Sequence, residues 1–418
     1  MTRPTVLVRM ADAGDIYVSW RWVEESSPRG AGMLPQDAAM RAVELLTGAL
    51  PRPAEPGGLE RALTTGAFAD YERECAVAQK LSRALLPYGL AAQLYDLWQR
   101  GVRPHIRLQP SPRVAQVPWE LIAPDRDVRL IDIADVSLLA PASVGQAPGR
   151  VARTWTETAG HPVVAVLDPR IPGFRADSTL GSVLGRMTAE APLARRMASY
   201  AANDRLRPAV SNPVEAFRRT DVDRDWLGSV LRAGASRLLY VGHVTAAAPE
   251  SGRSEDAELH LACAADAVGF AEPSRTHRPL SAKDLLLGTH TIATEPVAGA
   301  RLWPMPSRVA LIACESGGDL RFSEALGLTA AMITGGAELV TASRWPLPTD
   351  FAFQRIAGAP ARAQPLQEAV CAIDAAHERP DPVTAIAAWQ RDRLTAWRET
   401  GRIEHSPVLW AAFATVCA

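Results

Sequence analysis

Short apolar runs recur along the chain from about residue 160 onward. They lie at residues 162–167, 238–241, 309–313 and 338–342. Runs of this length without polar alternation are typical of strands that are covered on both faces, as in parallel sheets. Between them, apolar residues at 180, 183, 184 and 187, and again at 226, 227, 230 and 231, repeat at helical spacing. Alternation of strand and helix in this order predicts right-handed crossovers and a mostly parallel sheet.

The first half of the chain has a different pattern. Two β-type runs, 5–10 and 15–23, are separated by a short polar and glycine-containing stretch, which predicts a hairpin. Helical spacing follows at 35–50 and at 59–98, with a break near Pro87 and Gly89. Three β-rich runs come next, at 105–108, 117–122 and 128–140, and a Gly/Pro/Ala-rich linker is predicted at 141–150. We therefore predict three regions: 1–104, a hairpin and helices of unknown role; 105–154, a β-rich lead-in; and 155–418, an α/β domain.

The chain from residue 246 onward contains one long polar segment and several helix signals. Residues 246–306 are rich in Gly and Pro, with a short strand predicted at 258–262 and a helix at 281–287. Connections of this length are usually functional or disordered. A helix is predicted at 323–334 with Ser323 as its N-cap, and another begins at Asp381-Pro382 as N-cap and first helical residue. The final run, 407–417, fits a strand or a helix.

Composition narrows the class of protein. The 418 residues are 47% hydrophobic, enough for a large buried core, and 45 basic residues nearly balance 46 acidic ones. With a formal charge of -1, no global field favours nucleic acid as a partner. We find no apolar window long enough to span a membrane and no secretory start, so we expect a cytoplasmic protein. Five widely spaced cysteines without a CxxC pair argue against disulfides and a zinc site.

Candidate chemistry lies where two of the apolar runs end. The run at 309–313 leads directly into Cys314, and the run at 238–241 leads into Gly242 and His243. If these strands are parallel neighbours, a thiol and an imidazole meet at one edge of the sheet, as a cysteine nucleophile and its base must. The alternative from composition alone is that the cysteine is an inert small hydrophobe and the histidine is structural.

Other reactive residue types receive simpler interpretations. Cys263, Cys371 and Cys417 are interpreted as structural thiols, and the histidines of the 246–306 segment, at 260, 277 and 290, as exposed. No HExxH metal motif, phosphate-binding loop or dinucleotide fingerprint is present. We therefore expect neither a metal nor a cofactor.

Several motifs together resemble the CHAT domain, a family related to caspases and separases. They are YVGH at 240–243, RPLSAKDL at 278–285, ACESG at 313–317, EALG at 324–327, GGA at 335–337, SRWP at 343–346, Asp350, HSPVLWAAF at 405–413 and, upstream, VPWEL at 117–121. The resemblance covers about residues 105–418. It implies a caspase-like three-layer α/β/α sandwich with a mostly parallel sheet, preceded here by an N-terminal α+β region.

The resemblance also assigns roles to residues. It implies hydrolysis of peptide bonds with Cys314 as nucleophile and His243 as general acid and base. The oxyanion is held in such enzymes by the backbone N–H groups of the nucleophile and of the residue after Gly-His, here Cys314 and Val244. Many relatives have glycine at the second position, so Val244 departs from the pattern, although its backbone donor is retained.

Substrate preference in this fold is set by a pocket between the cysteine strand and the strand that follows it. The candidates are Glu315, Asp319, Glu324 and Arg344. An acidic lining would favour Arg or Lys before the cleaved bond, and Arg344 would favour an acidic residue. The same charges fit solvated loop ends equally well.

Two functional hypotheses follow. The first is a caspase-like cysteine endopeptidase that acts on a protein substrate and is held at rest until a protein activator or signal orders residues 246–306. CHAT relatives often belong to bacterial immune or programmed-death systems, which makes bacterial defence the implied setting. The second is a catalytically inactive caspase-like scaffold or signalling module. A nucleotide-binding α/β protein is disfavoured by the missing phosphate loops.

Overall fold

Strands and helices alternate along most of the chain in a computed structural model that describes residues 3–24 and 29–418. The strands are β1 (Thr5–Ala13), β2 (Asp15–Trp22), β3 (Arg29–Leu34), β4 (His105–Gln109), β5 (Asp135–Leu139), β6 (Val163–Leu167), β7 (Leu206–Arg207), β8 (Arg237–Val241), β9 (Val244–Thr245), β10 (Glu258–Leu259), β11 (Leu280–Ser281), β12 (Arg308–Ile312), β13 (Leu339–Ser343) and β14 (Phe413–Cys417).

The α-helices are distributed over the whole described chain. They are α1 (Gln36–Ala49), α2 (Gly58–Thr64), α3 (Tyr71–Leu85), α4 (Tyr88–Gln99), α5 (Leu130–Ile133), α6 (Ala142–Gly145), α7 (Trp155–Thr158), α8 (Pro192–Ala201), α9 (Arg224–Ala233), α10 (Ala282–Leu287), α11 (Gly299–Leu302), α12 (Leu328–Thr334), α13 (Asp350–Arg355), α14 (Pro365–Ala376), α15 (Pro382–Thr400) and α16 (Pro407–Trp410).

The chain divides into two compact units, each built from separate stretches of sequence. Unit 1 contains Met1–Leu139, Trp345–Pro365 and Asp381–Thr415, and unit 2 contains Ala140–Arg344, Leu366–Pro380 and Val416–Ala418. The boundaries predicted after residues 104 and 154 stay predictions.

Unit 1 contains the predicted hairpin. Its strands lie in the order β3-β2-β1-β4-β5-β14, with β1, β2 and β3 antiparallel and β1, β4 and β5 parallel. Gly14 joins β1 to β2 with φ at 78°, a left-handed conformation that glycine adopts without strain. Buried and exposed residues alternate along β1 and β2, so one face of the hairpin is covered and the other is open.

The helix start predicted at Asp381-Pro382 in unit 1 is confirmed. Asp381 accepts a hydrogen bond from the backbone N–H of Thr384 at 3.0 Å, and Pro382 is the first residue of α15. The final run of the chain forms both a helix, α16, and a strand, β14. The run at 117–122 was predicted as a strand and is instead a short 3₁₀ helix, Trp119–Leu121. Pro118 lacks the N–H that a ladder would need.

Unit 2 contains the predicted parallel sheet. Its strands lie in the order β13-β12-β8-β6-β7 and every neighbouring pair is parallel. All residues of β6, β8, β12 and β13 are buried, so both faces of the sheet are covered. The predicted fold class, an α/β protein with a mostly parallel sheet between covering layers, is confirmed.

Two helix predictions in unit 2 need correction. The segment at 180–187 is irregular, and the helix that follows β6 is α8, beginning at Pro192. The carboxylate of Asp168 accepts hydrogen bonds from Ser182 and from the backbone N–H groups of Val183 and Leu184, which competes with helix formation. The helix predicted from Ser323 begins only at Leu328.

The long segment at 246–306 is built into the fold of unit 2. Within it, β10 pairs with β9 on one side and β11 on the other to form a small antiparallel sheet. The predicted strand at 258–262 is shortened to β10, and the predicted helix at 281–287 corresponds to α10. Among the helices of residues 3–24 and 29–418, none is both long enough and apolar enough to cross a membrane.

A buried cluster of charges lies at the beginning of β8. Arg237, which is 1% exposed, donates from Nε to the Asp374 carboxylate at 2.9 Å, and Arg196 donates to the other carboxylate oxygen at 2.7 Å. The Tyr200 hydroxyl donates to the same carboxylate at 2.6 Å. Asp374 is itself 1% exposed. The buried Asp374 carboxylate therefore pairs with both guanidinium groups, and the partly exposed Glu378 pairs with the same two arginines.

Candidate active site at the carboxyl edge of the parallel strands

The ends of three neighbouring strands place the candidate residues side by side. Val241 of β8 pairs with Ile312 of β12 on one side and with Leu167 of β6 on the other. His243 and Cys314 each lie two residues beyond the Val241–Ile312 pair. The Gly242 N–H donates to the Ile312 carbonyl at 3.3 Å, so the two segments stay hydrogen-bonded one residue beyond the end of β8. Because neighbouring strands are about 4.8 Å apart, we expect from this register that the backbones of His243 and Cys314 lie close together.

The turn that carries Cys314 is held by two buried serines. The Ser316 hydroxyl donates to the Leu311 carbonyl at 2.7 Å and accepts from the Ser343 N–H at 3.0 Å. The Ser343 hydroxyl donates to the Ala313 carbonyl. Glu315 has a φ of 51° in this turn, a conformation that costs a residue with a side chain about 1–2 kcal/mol. Cys314 is partly exposed at the tip of the turn.

The hydrogen bond made by His243 fixes its tautomer. Nε2 of His243 lies 3.0 Å from the carbonyl oxygen of Gly181. A carbonyl oxygen only accepts, so Nε2 carries the proton and the neutral ring has its lone pair on Nδ1. Burial lowers the pKa of His243, against the opposing effects of the Gly181 hydrogen bond and the Asp168 charge. The ring is therefore neutral at pH 7 and able to accept a proton at Nδ1.

An ion pair positions the carbonyl that orients His243. Arg218 donates from one nitrogen to the Gly181 carbonyl at 3.2 Å and to the Asp168 carboxylate at 3.3 Å. Asp168 lies one residue beyond the end of β6 and is 1% exposed. Gly181 has no room for a side chain, since a Cβ there would lie 2.2 Å from the Ala176 carbonyl oxygen. Asp168 and Arg218 therefore hold the acceptor against which the imidazole is aligned.

The N–H of Val244 points away from the small sheet. The His260 N–H donates to the His243 carbonyl at 3.2 Å, which makes residues 243 and 260 a hydrogen-bonded pair of the antiparallel ladder. Val244 and Leu259, the next pair, are then non-hydrogen-bonded, with their N–H groups directed outward. As a β-branched residue in an extended strand, Val244 is compatible with this backbone. The substitution of valine for glycine therefore does not remove the donor.

A chain of neutral side chains lies behind β9. Nδ1 of His277 donates to the Cys263 carbonyl at 2.9 Å, so its Nε2 accepts from Nδ1 of His260 at 3.0 Å. Nε2 of His260 then accepts from the Thr245 hydroxyl at 2.8 Å. Burial lowers the pKa of His260 to about 3. His260 and His277 were predicted to be exposed, but both are buried and tie β9 to the body of unit 2.

The four pocket candidates occupy different environments. Glu315 pairs with Arg321 at 3.2 Å, and burial raises the pKa of its carboxyl despite that partner. Asp319 is buried and its Oδ2 accepts from the Ala330 N–H at 2.9 Å, as a cap on the first turn of α12. Glu324 is exposed, whereas Arg344, directly after β13, is buried.

Sequence reasoning missed the residues that support the dyad. Asp168 follows a parallel strand in the same way as His243 and Cys314, and this position was a usable signal. Arg218 and Gly181 carry no local signal, because each comes from an irregular segment that only the tertiary fold brings to the strand ends. Ser316 and Ser343 belong to the ACESG and SRWP motifs, but their mutual hydrogen bonds depend on the packing of β12 beside β13.

Comparison with known proteins gives one family match over most of the chain. The family described as "CHAT domain" matches residues 75–418. No match was found among curated proteins.

Solved structures also match, at low sequence identity. A chain of the Saccharomyces cerevisiae separase–securin complex at 3.0 Å matches with 8% identity and a TM-score of 0.49 over 100% of this chain. The same complex at 2.6 Å matches with 9% identity and a TM-score of 0.49 over 99% of this chain. The protein spans 30% of the length of each of those chains.

Proposed function

This chain belongs to the CHAT domain family, and on that premise we propose that it is a caspase-like cysteine endopeptidase that hydrolyses peptide bonds through Cys314 and His243. The observation that carries the proposal is the common register of the two residues, each two positions beyond the paired ends of β8 and β12. A second support is the tautomer of His243, which leaves Nδ1 free to act as a base.

The first chemical step transfers a proton and forms a covalent bond. Nδ1 of His243 takes the thiol proton of Cys314, and the sulfur attacks the carbonyl carbon of the substrate peptide. The negative charge that develops on the carbonyl oxygen is held by the backbone N–H groups of Cys314 and Val244. The outward direction of the Val244 N–H suits this role.

The remaining steps release the two products. The protonated His243 gives its proton to the leaving amine as the C–N bond breaks, which leaves an acyl group on Cys314. Water then loses a proton to His243 and attacks the thioester carbon, so that the acid product leaves and the thiol regains its proton. Glu315, Asp319, Glu324 and Arg344 remain our candidates for selecting the residue before the cleaved bond.

The setting of the reaction is part of the same proposal. We place the enzyme in the cytoplasm, with a protein substrate and a protein activator, in bacterial defence. Residues 246–306 would be the segment on which an activator acts, because β10 of this segment pairs with β9, and Leu259 of β10 lies opposite Val244 of β9. The activator would then switch the enzyme on by shifting the small β9–β11 sheet, and not by ordering an unstructured loop.

A thiol-reactive peptide tests whether Cys314 is activated. Full-length protein is treated with a biotinylated peptidyl chloromethyl ketone, and each modified cysteine is quantified by mass spectrometry. We expect Cys314 to be alkylated at least about tenfold faster than any other cysteine, since an activated thiol reacts preferentially. Cys371 is the matched comparison, because it is also partly exposed and burial raises the pKa of its thiol to about 12.

The controls separate the enzyme from the scaffold. Cys371→Ala should leave labelling of Cys314 unchanged, whereas His243→Ala should slow it. If Cys314 reacts no faster than Cys371, or if His243→Ala has no effect on its rate, the protein is an inactive caspase-like scaffold.

Arg218 is expected to act as a positioning residue for His243. Arg218→Met removes the donor to the Gly181 carbonyl and should slow alkylation of Cys314 about tenfold, the usual effect of losing a charge-assisted hydrogen bond. Arg218 also lowers the pKa of His243 and Asp168 raises it. Without Arg218 that pKa rises, so the acid limb of the labelling rate should move to higher pH.

The neighbouring arginine supplies a control for this variant. Arg219 pairs with Asp221 and makes no contact with Gly181 in the described structure. Arg219→Met should keep the wild-type pH profile, and Arg218→Lys should restore part of the rate. If Arg218→Met slows alkylation but leaves the pH dependence of its rate on the acid side unchanged, Arg218 supports only the local fold.

A further inference from the structure

One face of the β1–β3 sheet in unit 1 is open to solvent. Exposed residues alternate with buried ones along most of β1 and β2, and with half-buried glycines along β3. We define the basic sheet face by Arg9, Tyr17, Arg21, Arg29, Ala31 and Met33, all of which are exposed. A groove of about 570 Å³ runs beside four of them, Arg9, Arg21, Arg29 and Ala31, and is also lined by Leu7 and Ser19. On the opposite face, most residues of β1 and β2 are buried.

Three arginines are crowded on this face. Arg21 lies directly opposite Arg29 in the antiparallel pair of β2 and β3. Arg9 lies opposite Ser19, which places it diagonally next to Arg21. Like charges directly opposite each other destabilise a sheet. Within residues 3–24 and 29–418, none of the three arginines forms an ion pair. Such an unfavourable arrangement in an otherwise regular sheet is typical of a functional surface.

Protection of the sheet edge does not account for the charges. Charged residues commonly prevent an edge strand from pairing with another chain. That explanation applies to Arg29, since β3 is the last strand in the order, but not to Arg9 and Arg21, which lie on inner strands. Beyond the Ser19–Ala31 pair, the same face is apolar: Tyr17, 49% exposed, lies opposite Met33, 51% exposed. The face therefore offers positive charge at one end and apolar surface at the other.

From this geometry we propose that the basic sheet face binds an extended acidic segment of a partner protein, which adds as a strand beside β3. The open edge of β3 presents backbone N–H and C=O groups that only another peptide backbone can pair with in a ladder. The side chains of the added strand that point to the same face would lie opposite Arg29, Ala31 and Met33. The segment should therefore carry an acidic residue, a small residue two positions away and an apolar residue four positions away.

A nucleic acid fits these observations less well. It would engage the arginines, but it could not use the β3 edge or the Met33 end of the face. The whole chain also has a formal charge of -1, so it lacks the surrounding positive field that nonspecific nucleic-acid binding requires.

The test uses full-length protein and defined probes. A fluorescein-labelled eight-residue peptide with Glu, Glu, Ala and Leu at alternate positions, separated by Thr, is titrated by fluorescence anisotropy at low ionic strength. The same peptide with Lys in place of Glu and a single-stranded DNA oligonucleotide serve as comparison ligands. The protein variants are Arg21→Glu and Arg29→Glu, made separately. The matched control is Arg41→Glu, an exposed arginine on α1 away from the sheet face.

We expect the acidic peptide to bind and the lysine peptide not to bind. Each of Arg21→Glu and Arg29→Glu should raise the dissociation constant about tenfold or more, and Arg41→Glu should leave it unchanged. Amide exchange of residues 29–34 should slow in the complex. Because each of the two variants replaces an Arg–Arg pair by a Glu–Arg pair, their thermal midpoints should equal or exceed that of the wild type.

Several outcomes would overturn the proposal. These are absence of binding by the acidic peptide, equal affinity in Arg21→Glu, or binding without slower exchange in β3. Binding of the oligonucleotide that is lost in Arg21→Glu, without binding of the acidic peptide, would assign the face to nucleic acid. None of these results depends on peptidase activity, so a failure of this proposal would not contradict the proposed function.

Discussion

Replacement of Cys314 by alanine is expected to abolish peptide-bond hydrolysis, and replacement of His243 by alanine to lower kcat/KM by about 10²–10⁴-fold. Without the sulfur no acyl-enzyme forms, so Cys314→Ala removes the covalent pathway altogether. Without the imidazole the thiol has no base and the leaving amine no acid. The effect of His243→Ala is smaller because the thiol and the oxyanion donors remain.

The measurement compares cleavage products in cells that express each variant. A survey of newly formed protein N-termini after induction should show wild-type cleavage sites that are missing in Cys314→Ala and in His243→Ala. Cys371→Ala and His290→Ala are the controls, because Cys371 is a second partly exposed thiol and His290 an exposed histidine outside the candidate site. Unchanged cleavage by Cys314→Ala would show that another residue is the nucleophile, and no cleavage by any form would favour the scaffold.

The parallel strands could be predicted from the sequence because their physical signal is local. After their first residues, Arg237 and Arg308, the buried strands β8 and β12 consist of apolar and aromatic residues, and His243 and Cys314, two residues beyond their ends, contrast with these runs. The hairpin and the start of α15 were equally local, since Gly14, Asp381 and Pro382 act through their own backbone conformations. The register that pairs Val241 with Ile312, and from which we infer the proximity of Cys314 and His243, follows from parallel pairing.

The surroundings of the dyad could not be predicted in the same way. Residues 180–187 have helical periodicity, yet Asp168 attracts their N–H groups and holds them as an irregular segment beside His243. His260 and His277 are polar residues in a Gly/Pro-rich segment, a context that predicts exposure. They are buried instead because the two rings form a hydrogen bond with each other. In both cases the deciding partner is distant in sequence. Pattern alone therefore identifies the candidate residues His243 and Cys314 more readily than the residues that surround them.

Substitution of Asp374 by asparagine is expected to destabilise unit 2 by about 3–5 kcal/mol, the usual cost of removing one partner of a buried ion pair. Arg237 and Arg196 would lose the carboxylate that balances them, and Arg237 is almost fully buried. The control is Glu378→Gln. Glu378 contacts the same arginines but is 30% exposed, so its loss should cost about 1 kcal/mol. Urea unfolding at pH 7 gives both differences in the free energy of unfolding.

The dependence on pH gives this prediction a second test. Burial alone would raise the pKa of Asp374, but the charges of Arg237 and Arg196 and their hydrogen bonds outweigh it and hold that pKa below its ordinary value. A carboxyl with a lowered pKa in the folded state stabilises the protein above its unfolded pKa, about 3.9, and loses that contribution as the pH falls further. The difference in unfolding free energy between wild type and Asp374→Asn should therefore be constant from pH 7 to about 5 and shrink in stronger acid. A difference that stayed constant in acid would mean that asparagine acts through altered packing, and that the charge of Asp374 does not stabilise the cluster at the start of β8.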